Sequence, residues 1–263
     1  MTRTQISLLA SQWEFTGPDG NTVSVSLPHT WNAKDGQDGG NDYWRGTCTY
    51  SAVFAAPEFD AASQEVWLQF EGVNSSATVL LNGQQLCTHD GGYSTFRVHI
   101  TDLLWSENVL TVEVDNSVND RVYPQKADFT FYGGIYRDVS LLVVNKNHIA
   151  LGHFGDTGVK ITPALKEGSA DIQVETLVEG EGTVTVELLD AEGRTVAKGE
   201  GSKASLHLDA PHLWNGVKDP YLYTCVVRLL QDGKPVDEVT TKVGLRSFSV
   251  DAKKGFFLNG KPY

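Results

Sequence analysis

Cysteine is nearly absent. The 263 residues hold only Cys48, Cys87 and Cys225, an odd number, far apart and without a Cys-x-x-Cys pair. This argues against a disulfide-stapled scaffold and reads as small buried hydrophobes in a reducing compartment, with a disulfide or metal role as the lesser alternative. No His, Cys and Asp fall at metal-ligand spacing. No run of 18 or more apolar residues exists, so no segment reads as a membrane-spanning helix. The apolar patch at 6–10 is too short for the core of a signal peptide, so a cytoplasmic location is expected unless an upstream leader is removed. Basic charge is also short. Against 33 Asp and Glu stand 21 Lys and Arg, a net charge of −12, and residues 1–145 hold only 7 basic residues to 17 acidic ones. Such a surface repels phosphate backbones and excludes nucleic acid as an expected partner. No long window carries a helical period.

What is present is period-2 alternation. Leu110, Val112 and Val114 alternate with Thr111 and Glu113, and Ile172, Val174 and Thr176 with Gln173 and Glu175. Val184, Val186 and Leu188 repeat the pattern, as do Tyr221, Tyr223, Cys225, Val227 and Leu229. Each run reads as a half-buried strand. Asn82-Gly83 and Asp232-Gly233 sit between such runs as hairpin turns, because both residues tolerate the positive φ that a tight turn needs. With 40% hydrophobic residues a packed core is available. The fold class expected is all-β, built of sandwiches. Asn74-Ser75-Ser76 fits a glycosylation sequon, which matters only in a secreted protein.

A boundary is expected near 145–150, where the apolar run Val139 to Val144 closes a first unit and the density of Lys and Arg doubles. The second unit, about 100 residues of simple alternating strands, fits an immunoglobulin-like sandwich without its disulfide. At the C-terminus, Gly255 to Tyr263 reads as a strand, an Asn259-Gly260 turn and a short returning arm, which suggests a protein that continues.

Several segments taken in order resemble glycoside hydrolase family 2, the β-galactosidase/β-glucuronidase type. They are Leu27-Pro28-His29-Thr30-Trp31-Asn32, Tyr43-Trp44-Arg45-Gly46 with Tyr50, Phe70-Glu71-Gly72-Val73-Asn74 and His89-Asp90-Gly91-Gly92-Tyr93. Gly133-Gly134-Ile135-Tyr136-Arg137-Asp138 follows, then Pro211-His212-Leu213-Trp214, Gly244-Leu245-Arg246 and Leu258-Asn259-Gly260-Lys261-Pro262. The resemblance implies a jelly-roll β-sandwich, galactose-binding-like, over 1–146, an immunoglobulin-like β-sandwich over 147–248, and at 249–263 the lead-in to a (β/α)8 catalytic barrel that this sequence lacks. A retaining glycosidase needs two carboxyl groups about 5–5.5 Å apart. The family's acid follows an Asn, and no Asn-Glu pair occurs here. No catalytic residue is therefore expected within the chain. The function implied is a non-catalytic region that supports and partly lines the active site of a barrel hydrolysing terminal β-glycosides, with a β-galactoside-type carbohydrate preferred. A stand-alone carbohydrate-binding module and a scaffold without sugar affinity remain the alternatives.

The resemblance also implies substrate-binding residues. Asp128 would reach the barrel's site, accepting hydrogen bonds from sugar hydroxyls and lying near a sodium ion in metal-dependent members; a loop Asp bonded to its own backbone is the other reading. Asn41 and Arg45 lie on a loop that could approach the same place, or serve loop packing. No cofactor is expected within this stretch; sodium or magnesium belongs to the full-length parent. Partners implied are the carbohydrate and the barrel, with no nucleic acid and no membrane, and the parent's homo-oligomeric state is left open. Arg137 is expected in a structural ion pair, and His29 and His89 as hydrogen-bonded scaffold. An exposed apolar patch is expected beside the 128–137 segment.

Overall fold

The computed structural model describes residues 2–33, 43–125, 127 and 130–263. Among them every regular element is a strand, apart from two three-residue 3-10 turns. No helix is long and apolar enough to cross a membrane. Two compact units appear: Thr4–Val143, and Val144–Tyr263 together with the N-terminal residues up to Arg3.

The first unit is a jelly roll of two antiparallel sheets. One orders the strands Thr4–Ser7, Val139–Asn145, Gln64–Phe70 and Phe96–His99; the other orders Thr22–Val25, Trp13–Thr16, Thr47–Ala55, Glu107–Asp115, Ser76–Leu81 and Gln84–Asp90. Alternation explains why these segments lie flat. Cys48, Tyr50, Ala52 and Phe54 point inward from one strand and Leu110, Val112 and Val114 from its neighbour, in register as Tyr50 opposite Val112 and Ala52 opposite Leu110. Val139 to Val144 is buried throughout, so its run of apolar residues is continuous rather than alternating. The core gathers around Trp13, Tyr50, Leu68, Phe70, Leu110 and Ile135, all sealed from solvent.

The second unit packs the sheet Val159–Lys166, Ser169–Thr176, Lys203–Asp209 with the sheet Thr195–Glu200, Thr183–Leu189, Tyr223–Gln231, Lys234–Val243. Ile172, Val174, Val186, Leu188 and Leu229 fill it, and no disulfide is present. Seven strands in two layers match the immunoglobulin-like expectation. Both predicted hairpin turns form. Asn82 and Gly83 take φ of 52° and 80°, Asp232 and Gly233 of 49° and 72°. Asn259 and Gly260 do the same between Gly255–Leu258 and Lys261–Pro262, and Phe248–Asp251 completes this small third sheet.

In this unit Asp237 is fully buried, and its carboxylate is held from both sides. Arg3 donates through Nε to Oδ1 at 2.8 Å and through Nη2 to Oδ2 at 2.5 Å; the amides of Glu238 and Ile149 donate at 2.9 and 2.8 Å. Cys48 and Cys225 are buried, and exclusion of water pushes their thiols up to about 11.

Candidate functional site

The loops that carry the motif residues of the jelly roll converge on two asparagines. Asn32 is fully buried; its Oδ1 accepts from Gly133 N at 2.8 Å and from Asn116 Nδ2 at 3.3 Å, and its Nδ2 donates to Trp44 O at 3.1 Å. Asn116 follows directly on the strand Glu107–Asp115, and its Oδ1 accepts from Gly46 N at 2.8 Å. Three loops are thereby locked to the end of one strand through amide groups that have no water to fall back on. The glycines of the 133–134 pair are set by close approach. A Cβ on Gly133 would sit 2.4 Å from Trp31 Cζ2, and Gly134, at φ 131°, would place one 2.5 Å from His29 O. Thr30 Oγ1 closes the join by donating to Gly133 O at 2.7 Å.

His29 and His89 are scaffold, as expected. His29 Nδ1 and Tyr50 OH lie 2.7 Å apart, and burial lowers the histidine's pKa while it raises that of the tyrosine. His89 stacks on Phe96 with centroids 4.2 Å apart, and burial lowers its pKa too.

Of the three residues nominated for sugar contact, Asp128 and Asn41 lie outside the described residues. Arg45 is described. Its Nη2 donates to Gln125 O at 2.7 Å and to Tyr43 OH, and its guanidinium covers the Tyr43 ring at 4.6 Å. It ties the 43–46 loop to the end of the 116–125 segment. That segment is held a second time where Arg121 Nε donates to Asp90 Oδ2 at 2.8 Å, while Ser76 Oγ donates to Asp90 Oδ1 at 2.5 Å. The Arg121 and Ser76 hydrogen bonds keep the Asp90 carboxyl below its ordinary range. Arg137 donates through Nη1 to Tyr93 O at 3.1 Å, so backbone carbonyl is among its partners. Tyr93 and Tyr136, whose centroids are 6.4 Å apart, stand beside it, and burial raises the pKa of both.

Between Arg45, Asn74, Tyr93, Gln125 and Phe131 runs a crevice of about 10 Å³. That is room for one water, not for a sugar ring. The described residues around it present the Tyr93 ring and the Arg45 guanidinium. Within the jelly roll they hold no three His, Cys, Asp or Glu ligand atoms close enough to share an ion. Asp128, which the resemblance places near a sodium ion, lies outside the described residues. The Asn74 sequon is closed off: Asn74 is buried, and its Nδ2 donates to Tyr132 O at 2.9 Å.

Sequence reading missed Asn32, Asn116, Gln125 and the Asp90–Arg121 clamp as the residues that shape this region. One signal was available for Asn116, a polar amide placed directly after a strand whose alternate residues are all apolar.

Residues 37–164 match the family described as glycosyl hydrolase 2 galactose-binding domain-like, and residues 153–246 match glycosyl hydrolases family 2. Among curated proteins, a β-glucuronidase of Bacteroides fragilis is 36% identical over 97% of this chain and 39% of its own length. Among solved structures, an FMN-binding β-glucuronidase from Facaelibacterium prausnitzii superposes with a TM-score of 0.92 at 38% identity, over 99% of this chain and 42% of that one. A putative β-galactosidase from Bacteroides fragilis gives 0.90 at 35% identity, over 100% and 44%. The chain thus spans about two fifths of the length of these relatives.

Proposed function

Because this chain belongs to glycosyl hydrolase family 2, as its N-terminal galactose-binding-like and immunoglobulin-like part, we propose that it serves a longer β-glycosidase by walling one side of a sugar site whose carboxylate pair lies elsewhere in the polypeptide. The observation that carries this reading is the match of nearly the whole chain to about two fifths of a β-glucuronidase. The amide-locked loops at 30–33, 44–46 and 133–134 suit such a wall, since a rigid support aligns substrate at no cost during reaction. The catalytic barrel is the partner, and Asp128 is the residue proposed to reach it.

The substrate proposed is a terminal β-glucuronide, because β-glucuronidases stand among the relatives at 36–38% identity. A β-galactoside is the second reading, favoured by the 35% identical Bacteroides fragilis structure. The test assays the 263-residue chain and the full-length polypeptide on chromogenic β-glucuronide and β-galactoside. The full-length protein is expected to turn over the glucuronide and the chain alone neither. Asp128→Ala in the full-length protein is expected to lower kcat/KM by about tenfold or more. Hydrolysis by the chain alone, abolished by replacing one of its own carboxylates, overturns the reading; an unchanged kcat/KM removes Asp128 from the site.

A further inference from the structure

Three asparagines of the chain stand directly before a glycine: Asn82, Asn215 and Asn259. A glycine has no Cβ to shield its backbone nitrogen, and that nitrogen can attack the Cγ of the asparagine before it. The N–Cγ bond forms, the Cγ–Nδ2 bond breaks and ammonia leaves, giving a cyclic imide. Water then opens the ring at either carbonyl. The product is aspartate or, with the main chain routed through the side chain, isoaspartate. The reaction needs only water and a side chain free to turn.

The fold treats the three sites unequally. Asn82 Oδ1 accepts from Val109 N at 2.9 Å, and its Nδ2 donates to Asn108 Oδ1 at 3.0 Å and to Leu103 O at 3.3 Å. Asn259 Oδ1 accepts from Ser247 N at 3.0 Å, and its Nδ2 donates to Trp214 O at 3.0 Å. Both amides are pinned at each end. Asn215 is exposed, its side chain caps nothing in the 3-10 turn Gly216–Lys218, and none of the described residues bonds it. Val217, in the same turn, is 91% exposed, so the turn can bend without disturbing the core.

We infer that Asn215 is a site of spontaneous modification, converted through the cyclic imide to aspartate and isoaspartate while Asn82 and Asn259 stay intact, and that the conversion loosens the C-terminal hairpin of the same unit. The loop at 214–216 is where that hairpin is fastened. Trp214 O takes the Asn259 Nδ2 bond, Trp214 N donates to Leu245 O at 2.9 Å, and Tyr263 OH lies so close over Gly216 that a Cβ there would overlap it. Isoaspartate puts an extra carbon into the main chain between 215 and 216, a lengthening of roughly 1.5 Å. Gly216 is buried, at φ 66°, and has no such slack. The added length either draws Trp214 O away from Asn259 or pushes Tyr263 aside. The product also brings a negative charge close to Asp219, whose backbone carbonyl accepts from Asn215 N at 2.7 Å.

Incubating the native 263-residue chain at pH 8, with peptide mapping by mass spectrometry over time, tests it. The peptide holding residue 215 should gain the mass of an acid in place of an amide, and its isoaspartate should accept a methyl group from S-adenosylmethionine through an isoaspartate methyltransferase. Asn82 must release three hydrogen bonds and Asn259 two before Cγ can turn, so Asn215 should convert at least about tenfold faster than either. In urea, where the pins are gone, the three rates should draw level. In chain aged until residue 215 is converted, amide exchange across 255–263 should speed up by about fivefold, the weight of one hydrogen bond. Asn215→Gln, with the circular dichroism of the native chain, should age without that change. Native conversion of Asn82 or Asn259 as fast as that of Asn215 overturns the site, as does an Asn215 that stays intact in the native chain while the same residue converts in urea. Hairpin exchange that is equal before and after conversion overturns the loosening.

Discussion

Replacing Arg3 with Ala strikes a fully buried carboxylate of the second unit. Asp237 receives four hydrogen bonds, two of them from the guanidinium in a fork at 2.5 and 2.8 Å, and has no exposure to solvent. Arg3 is itself about a fifth exposed, and it donates a further bond to Ile149 O at 3.1 Å. Breaking a buried pair from one side costs 3–5 kcal/mol, because the surviving charge stays buried without its partner. Two backbone amides remain on Asp237, which places the expected loss near the bottom of that range, about 3 kcal/mol. With a urea slope of about 1.5 kcal/mol/M for a unit of this size, the midpoint should fall by about 2 M. Urea titration followed by circular dichroism and by tryptophan fluorescence reads it, and the shift should be confined to the transition of the Val144–Tyr263 unit. Arg3→Lys keeps the charge without the fork and should lose part of the effect. Arg3→Met combined with Asp237→Asn should recover much of it, since removing both charges leaves none unpaired. A midpoint shift under about 0.5 M for Arg3→Ala, or a double variant no better than Arg3→Met alone, refutes the argument.

Asn32→Ala removes three amide contacts in a dry site and should destabilise the jelly roll by about 2–3 kcal/mol, seen as a lower urea midpoint of that unit. The native protein at pH 8 should give at most one fast reaction with Ellman's reagent, at half-buried Cys87. Cys48 and Cys225, pushed up to about 11, should react only after denaturant is added. Burial holds the folded pKa of His29 below its unfolded value near 6.5. The unfolded chain therefore takes up the proton first, and the jelly roll should lose stability as pH falls from about 6.5 toward the folded pKa. His29→Gln should flatten that slope in urea titrations at pH 7, 6 and 5.

The strands were legible because burial is periodic. Leu110, Val112 and Val114 are each sealed from solvent while Glu113 is not, and a period of two needs no tertiary knowledge to read. The glycine turns were legible for the same local reason. Tyr221 was placed in a strand by its spacing, yet the strand starts at Tyr223. Tyr221 instead follows Asp219-Pro220 and stacks on His212 at 3.9 Å. What sequence could not supply is partnership at long range. Arg3 and Asp237 are 234 residues apart, and Asp237 looks like any acidic residue on a strand. Arg45 was nominated for sugar contact, and the structure ties it to Gln125, 80 residues away. The apolar surface anticipated beside 128–137 has Tyr123 and Tyr132 among its described exposed residues, while a tighter group sits on the Phe248–Asp251 hairpin, where alternation alone gives no hint of what is left uncovered.

Thr4 and Val143, the first and last residues of the jelly roll, are directly paired across neighbouring strands. The whole 140-residue module is thus a detour that leaves and rejoins the second unit's chain at nearly one point. Splicing Arg3 to Val144 through a few glycines should excise the module cleanly, with the Arg3 fork still closing on Asp237, whereas cutting the chain once at residue 144 would deprive the immunoglobulin-like remainder of its own cation.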